Sequence, residues 1–350
     1  MSEPKRLGPA RRVAGDLVVP GDKSVSHRAV LFGALAEGTS RVRGALDGDD
    51  NRRTLAATAA MGARHRRDGD ALVIEGVGLG GLRAPEGPLD MGNSGTTTRL
   101  LLGVLAGQSF EATLFGDPSL SRRPMRRVTE PLRQMGADIR GAEDANFLPL
   151  EVRGGSLHGI RYDLPVASAQ VHGALVLAGL RAEGETIVTL PGPARDHTDR
   201  MLRAMGAAIE TDAGLRRTVV RRTERLRPLD FDVPGDLSSA AFFLVAALLV
   251  PDSEVVLRGV GVNPTRTGLL GVLRTMGARI EEVNLAVRSG EPVADLIVRM
   301  EPLMGVDVGG EVIPRLIDEI PILAVAATQA EGTTTIRDAG ELRVKESDRI

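Results

Sequence analysis

The chain has 350 residues, a formal net charge of −2, 42% hydrophobic residues and 26% charged residues, which is typical of a globular protein with two domains. The small net charge argues against general attraction to nucleic acid or membrane surfaces, and an aromatic content of only 2% argues against base stacking. Because the sequence has no cysteine, it excludes disulfides, thiolate metal sites and a cysteine nucleophile within this chain.

The N-terminal residues 1–12 are charged and lack the apolar run of a secretory signal. The longest apolar stretches, such as residues 240–251, are too short to cross a bilayer and suit a buried helix. We therefore expect a cytoplasmic protein.

A polar turn rich in glycine or serine precedes an alanine- and leucine-rich helix at five places along the chain. The predicted regions are residues 23–37, 92–106, 168–183, 234–249 and 317–331. The first turn of a helix presents unpaired N–H groups and a positive dipole end, which favour phosphate and carboxylate ligands. Ordinary N-capping is the alternative interpretation of these turns.

The tripeptide Met-Gly-Ala, which begins at Met61, Met135, Met205 and Met276, follows four helical patterns at intervals of about seventy residues. A glycine after the last turn fits a left-handed C-cap. The polar turns and the Met-Gly-Ala tripeptides recur with the same period, so they predict repeated β-α-β-α-β-β units. The fifth helical region is followed by no such tripeptide before Ile350, so the fifth unit is incomplete and we expect a truncated form of a longer protein.

Lysine is rare, since only Lys5, Lys23 and Lys345 among the 44 basic residues are lysines. Unlike arginine, a buried lysine can lose its proton, and its compact ammonium contacts one oxygen at a time. We therefore expect Lys23 and Lys345 to have roles that a guanidinium cannot fill. Codon bias is the alternative.

Three groups of residues suggest anion binding. Asp22-Lys23-Ser24 precedes Arg28 by about one turn, the Asn93 turn contains two glycines that permit close backbone approach, and arginines flank Pro124. The arginine cluster could also be a solvated charge run. Ser168-Ala169-Gln170 opens the third helix and is a weak signal by itself.

Two charged segments lie in the last forty residues of the chain. Asp318 and Glu319 stand before an apolar helix, where capping explains one of them. Lys345, Glu346 and Arg349 lie in a dense charged segment, which is either a surface face or the kind of cluster that moves protons at a bound polyanion.

The combined motifs closely resemble the 5-enolpyruvylshikimate-3-phosphate synthase family of the enolpyruvyl transferase superfamily, from about Val13 to Ile350. The matching motifs are Pro-Gly-Asp-Lys-Ser-x-Ser-His-Arg (20–28), Gly-Asn-Ser-Gly-Thr-Thr-x-Arg (92–99), Arg-Arg-Pro-Met (122–125), Ser-Ala-Gln (168–170), Val-Pro-Gly-Asp-x-Ser-Ser-Ala (233–240), Asp-Glu-Ile-Pro (318–321) and Arg-Val-Lys-Glu-Ser-Asp-Arg (343–349).

The resemblance implies an α/β fold with two domains built from β-α-β-α-β-β units, an inside-out barrel with helix N-termini facing the interdomain cleft. It places residues 19–231 in an N-terminal-type domain and residues 1–18 and 232–350 in an incomplete C-terminal-type domain. The implied reaction transfers enolpyruvyl from phosphoenolpyruvate to the 5-hydroxyl of shikimate 3-phosphate, in aromatic amino-acid biosynthesis. It implies no cofactor and no metal, and we expect a monomer that binds neither nucleic acid nor membranes.

The resemblance also implies roles for individual residues. Lys23 would contact both substrates, and Asp318 would bind substrate and take the proton of the 5-hydroxyl. Glu346, with Lys23, would move protons at the methylene carbon. The implied shikimate 3-phosphate ligands are Ser24, Arg28, Ser168, Ala169, Gln170 and Lys345, and the implied phosphoenolpyruvate ligands are Gly95, Arg123 and Arg349, with Asn93 shaping its turn.

The sequence departs from the family pattern at Ala194, where many members have a phosphate-contacting serine, so Arg195 or a backbone N–H would replace that contact. The family's last unit also supplies an arginine and a lysine that do not occur before Ile350, so we expect substrate binding to exceed turnover.

Two alternative functions stay open. One is a UDP-N-acetylglucosamine enolpyruvyl transferase, against which the missing cysteine and Asp22-Lys23-Ser24 argue. The other is a non-catalytic repeat protein that binds anions.

Overall fold

The computed structural model describes residues 8–345 and 347–350. The strands are β1 (Ala14–Val18), β2 (Glu37–Arg43), β3 (Arg64–Asp68), β4 (Ala71–Val77), β5 (Leu89–Asp90), β6 (Glu111–Phe115), β7 (Asp138–Gly141), β8 (Phe147–Arg153), β9 (Arg161–Asp163), β10 (Glu185–Thr189), β11 (Ile209–Thr211), β12 (Arg217–Arg221), β13 (Asp230–Asp232), β14 (Glu254–Gly261), β15 (Ile280–Arg288), β16 (Glu291–Arg299), β17 (Asp307–Val308) and β18 (Thr335–Ile336).

The helices are α1 (Lys23–Leu35), α2 (Asp49–Ala60), α3 (Gly95–Ala106), α4 (Arg126–Gln134), α5 (Ala142–Ala145), α6 (Ala169–Gly179), α7 (His197–Ala204), α8 (Leu237–Leu249), α9 (Gly268–Thr275), α10 (Ile313–Leu316) and α11 (Ile320–Ala327). Short 3-10 helices span Leu120–Arg122, Gly310–Val312 and Gly340–Val344. Within the described residues, no helix is long and apolar enough to cross a membrane.

The chain forms two compact units. Unit 1 comprises residues 1–19, 235–286 and 292–339, and unit 2 comprises residues 20–234, 287–291 and 340–350. The chain therefore leaves unit 1 after its first strand and returns to it after β13.

The four-stranded sheets share one topology. In unit 2 their strand orders are β13-β2-β4-β3, β5-β6-β8-β7 and β9-β10-β12-β11, and in unit 1 the order is β1-β14-β16-β15. In each sheet the first two strands are parallel, and the second strand is antiparallel to the third in this order. The strands β17 and β18 of unit 1 are also parallel, with α11 between them in the chain. The predicted β-α-β-α-β-β repeat is confirmed.

The Met-Gly-Ala tripeptides end α2, α4, α7 and α9 as predicted. The glycines have positive φ angles of 106°, 107°, 92° and 106° in chain order. In the second copy, Ala137 N–H donates to Leu132 C=O and Gly136 N–H to Arg133 C=O, which is the Schellman pattern that satisfies the last carbonyls of a helix. Arg133 Nε also donates to Ile139 C=O at 2.8 Å, which ties the helix end to the next strand.

The core of unit 2 is almost entirely aliphatic, and Phe32 and Phe231 are its fully buried aromatic side chains. The central helices α3 and α6 pack closely because Gly103 and Gly173 lack side chains. A Cβ on Gly103 would lie 2.2 Å from Ala174 C=O. This packing places the N-terminal turns of both helices in one polar network.

Candidate active site

The first polar turn begins α1. Asp22 is its N-cap, and Asp22 Oδ1 accepts a hydrogen bond from Val25 N–H at 2.9 Å. Lys23 Nζ lies 3.2 Å from Asp50 Oδ2, and its side chain is 48% exposed. Lys23, the first residue of α1, therefore presents its ammonium near the start of α2. That it has a role a guanidinium cannot fill stays a prediction.

Arg28 is the buried cation of this turn, with only 2% of its surface exposed. Its Nε donates to Thr198 Oγ1 at 2.8 Å and its Nη1 donates to Ser24 C=O at 3.0 Å. Burial lowers the pKa of Arg28 to about 10, so the guanidinium remains charged at neutral pH. A buried charge of this kind favours an anionic ligand.

The second polar turn begins α3, where Ser94 is the N-cap and its Oγ accepts from Thr97 N–H. Arg123 is 8% exposed and donates to Asn93 Oδ1, while Asn93 Nδ2 donates to Asp117 Oδ2 at 2.7 Å. Arg123 Nη1 also lies 3.3 Å from the position that a Cβ on Gly95 would take. The structure thus brings Asn93, Gly95 and Arg123 together.

The third polar turn begins α6 with Ser168 as its N-cap. Gln170 joins this turn to α3, because its Nε2 donates to Thr96 Oγ1 at 3.0 Å and its Oε1 accepts from Arg99 Nη1 at 2.7 Å. Sequence reasoning gave no separate role to Arg99 or Thr96, although both lie inside the quoted motif. Ala169, between Ser168 and Gln170, is the first residue of the helix.

Unit 1 contains Asp318, in the turn between α10 and α11. Capping, which was predicted for one of the two neighbouring acids, does not describe Glu319. Glu319 occupies the N-cap position of α11 without a capping side-chain hydrogen bond. Its Oε1 instead accepts from Arg266 Nη1 at 2.7 Å and from the Ser238 hydroxyl. A buried arginine offers a full positive charge, whereas the N-terminus of a helix offers only a partial one.

The C-terminal charged segment belongs to unit 2. Lys345 and Arg349 are partly buried, and Arg349 N–H donates to Leu342 C=O at 3.2 Å. An ion pair of 3.1 Å between Arg127 Nη1 and Glu341 Oε1 attaches this segment to α4. Glu346, the predicted proton carrier, lies outside the described residues.

His27 gives a pH dependence of stability. Burial and the charges of Lys23 and Arg28 lower the pKa of His27 to about 3 from its ordinary value of 6.5. Between these values the unfolded chain binds a proton that the native chain does not, so native stability falls as the pH drops from 6.5 toward 3. Urea unfolding at pH 7 and pH 5 should show about 2 kcal/mol more loss for the wild type than for His27→Asn. Equal losses would contradict this assignment.

The chain is similar in fold to a solved enolpyruvyl transferase and matches a known protein family in sequence. The enolpyruvyl transferase NikO from Streptomyces tendae has a TM-score of 0.74 at 22% identity, covering 94% of this chain and 76% of that one, which shows a shared enolpyruvyl-transferase fold. Residues 7–350 match the family described as EPSP synthase (3-phosphoshikimate 1-carboxyvinyltransferase). The chain belongs to this family.

Curated relatives agree with this membership. The 3-phosphoshikimate 1-carboxyvinyltransferase of Geotalea uraniireducens is 56% identical over 98% of this chain and 80% of its own length. The enzyme of the same name from Bacillus velezensis is 54% identical over 96% of this chain and 78% of its own length. A solved EPSP synthase from Acinetobacter baumannii has a TM-score of 0.88 at 47% identity, covering 98% of this chain and 78% of that one.

Proposed function

We propose that the chain transfers the enolpyruvyl group of phosphoenolpyruvate to the 5-hydroxyl of shikimate 3-phosphate and releases inorganic phosphate. The observation that carries this proposal is the clustering of polar helix N-termini and buried arginines in unit 2. Arg28 lies at the α1 turn, and Arg123 lies at the α3 turn beside Gly95. Two anionic substrates need such a set of cations and oriented N–H groups.

We assign the binding roles by substrate. Lys23 contacts both substrates, Asn93 shapes the turn for phosphoenolpyruvate, and Arg28 holds shikimate 3-phosphate. The further ligands of shikimate 3-phosphate are Ser24, Ser168, Ala169, Gln170 and Lys345, and the ligands of phosphoenolpyruvate are Gly95, Arg123 and Arg349. Arg195, one residue after Ala194, is the candidate replacement for the phosphate-binding serine that other members have there.

The chemistry requires an acid, a base and stabilising cations. Protonation of the methylene carbon gives a cationic carbon, which the 5-hydroxyl attacks while Asp318 takes the hydroxyl proton. Loss of a methyl proton from the tetrahedral adduct then expels phosphate and restores the double bond. We assign the proton transfers at the methylene to Glu346 and Lys23. The cytoplasmic location and the monomeric state stay predictions from the sequence.

A phosphate-release assay tests the function. Phosphoenolpyruvate is offered with shikimate 3-phosphate or with UDP-N-acetylglucosamine, and binding of each acceptor is measured by calorimetry. Release with shikimate 3-phosphate alone is the expected result, and release with the nucleotide sugar alone would contradict the proposal. Binding of shikimate 3-phosphate without release would support the non-catalytic alternative.

Gly95→Ala should weaken phosphoenolpyruvate binding. The new Cβ would lie 2.8 Å from Arg99 Nη1 and 3.3 Å from Arg123 Nη1, so both guanidinium groups must move. We expect the KM for phosphoenolpyruvate to rise about tenfold with little loss of stability. Gly271→Ala is the matched control, because a Cβ at that position of α9 meets nothing within 4 Å. An unchanged KM in Gly95→Ala would contradict the assignment of this turn.

A further inference from the structure

A chain of side-chain hydrogen bonds joins three helices of unit 2. His27 Nδ1 on α1 lies 2.7 Å from Thr54 Oγ1 on α2. Thr54 Oγ1 lies 2.8 Å from Thr97 Oγ1 on α3, which lies 2.7 Å from Ser94 Oγ at the α3 N-cap. Thr54 Oγ1 is the central atom of this chain, because its contacts to α1 and α3 are short, whereas the direct contact between Thr97 Oγ1 and His27 Nδ1 is 3.5 Å long.

The chain is sealed from solvent. His27, Thr54, Thr97 and Ser94 are each at most 2% exposed, and the low pKa of His27 keeps its ring neutral. Either ring tautomer can bond to the Thr54 hydroxyl, which serves as donor or acceptor. Removing one hydroxyl would leave buried polar partners without a hydrogen bond. This costs more free energy of unfolding than an average hydrogen bond contributes.

The ends of the chain are next to the substrate-binding turns. His27 directly precedes Arg28 on α1, and Ser94 directly precedes Gly95 at the start of α3. The chain therefore connects, through Thr54 of α2, the two turns that carry the groups assigned above to shikimate 3-phosphate and phosphoenolpyruvate.

Helix α2 also contacts Lys23. Asp50 Oδ2 lies 3.2 Å from the Lys23 ammonium, and Asn51 Nδ2 donates to Lys23 C=O at 3.2 Å. The first turn of α2 thus touches both the side chain and the backbone of Lys23. Helix α2 therefore supports the site through Asp50, Asn51 and Thr54. These residues need not contact substrate themselves.

We propose that Thr54 is a positioning residue that fixes the α1 turn relative to the α3 turn through its hydroxyl. The inference rests on the proposed function, because the two substrates can react only if the α1 turn and the α3 turn are held at a fixed distance from each other. A misplacement of about 1 Å at reacting groups can lower the rate by about 100-fold. Loss of the hydroxyl at Thr54 therefore acts on catalysis as well as on stability.

The test compares Thr54→Val, Thr54→Ser and Thr58→Val. Thr58 is the matched control, since it is 1% exposed on the same helix and its hydroxyl donates to Thr54 C=O at 2.9 Å, outside the chain. We expect Thr54→Val to lower kcat/KM by roughly 10- to 100-fold, Thr54→Ser to restore it to within about threefold of the wild type, and Thr58→Val to keep wild-type kinetics. Both valine variants should lower Tm by a few degrees.

The double variant Thr54→Val/Thr97→Val should be little worse than Thr54→Val, because both changes break one chain. Equal kinetic losses in Thr54→Val and Thr58→Val, or no rescue by serine, would overturn the proposal. A wild-type chain without phosphate release would contradict the proposed function instead. Calorimetric binding of inorganic phosphate would then test the positioning role. Weaker binding in Thr54→Val alone would support it, and equal binding in both valine variants would overturn it.

Discussion

Asp318→Asn is expected to lower kcat by about 1000-fold, because a positioned base contributes roughly 10²- to 10⁴-fold to the rate. Asparagine keeps the size and polarity of the side chain but cannot accept the proton of the 5-hydroxyl. Both KM values should change far less than kcat, since asparagine can still hydrogen-bond to the 5-hydroxyl and the binding groups assigned to unit 2 stay intact. Steady-state kinetics with both substrates measures kcat and both KM values.

Asp307→Asn is the control for this change. It lies in the same unit, and its side chain is 66% exposed, 3.9 Å from Arg337 Nη1. We expect wild-type kinetics, because substitutions at such surface sites have small effects. An Asp318→Asn variant that retains a tenth or more of the wild-type kcat would show that another group removes the proton.

Arg28→Lys is expected to reduce kcat/KM for shikimate 3-phosphate by about 100-fold. Arg28 bonds through Nε to Thr198 Oγ1 and through Nη1 to Ser24 C=O. One ammonium cannot reproduce this forked geometry, so the buried charge is displaced from its ligand. Calorimetric titration with shikimate 3-phosphate measures the loss of affinity directly.

Two further variants separate binding from folding. Thr198→Val removes the partner of Arg28 Nε and should cause a smaller loss in the same direction. Arg41→Lys changes an exposed arginine that pairs with Asp68 at 3.0 Å and should leave affinity and stability near the wild type. Wild-type affinity in Arg28→Lys, with an unchanged unfolding midpoint, would contradict the role of Arg28.

Much of the fold could be predicted because its signals are local. Each Met-Gly-Ala tripeptide ends a helix through its own backbone hydrogen bonds, as Gly136 and Ala137 show. The helix starts were also visible, since Ser94 and Ser168 cap the helices that follow them. Such features depend on residues within one or two turns and therefore leave a pattern in the sequence.

The site was less predictable where contacts join distant parts of the chain. Glu319 bonds to Arg266, which is 53 residues away in sequence, so the neighbouring residues could suggest only that one of Asp318 and Glu319 caps the helix. The rarity of lysine singled out Lys23, but it did not show that Asp50 would meet its ammonium near solvent. Thr54, 27 residues after His27 and 43 before Thr97, carries no local sign of connecting two turns.

The ³¹P NMR spectrum of the wild-type chain with phosphoenolpyruvate and shikimate 3-phosphate tests the central claim most directly. We predict that phosphoenolpyruvate disappears while inorganic phosphate and a new phosphomonoester resonance appear in equal amounts, as transfer requires. Inorganic phosphate without a new phosphomonoester would mean hydrolysis instead of transfer. An unchanged spectrum would contradict the proposed activity of this chain.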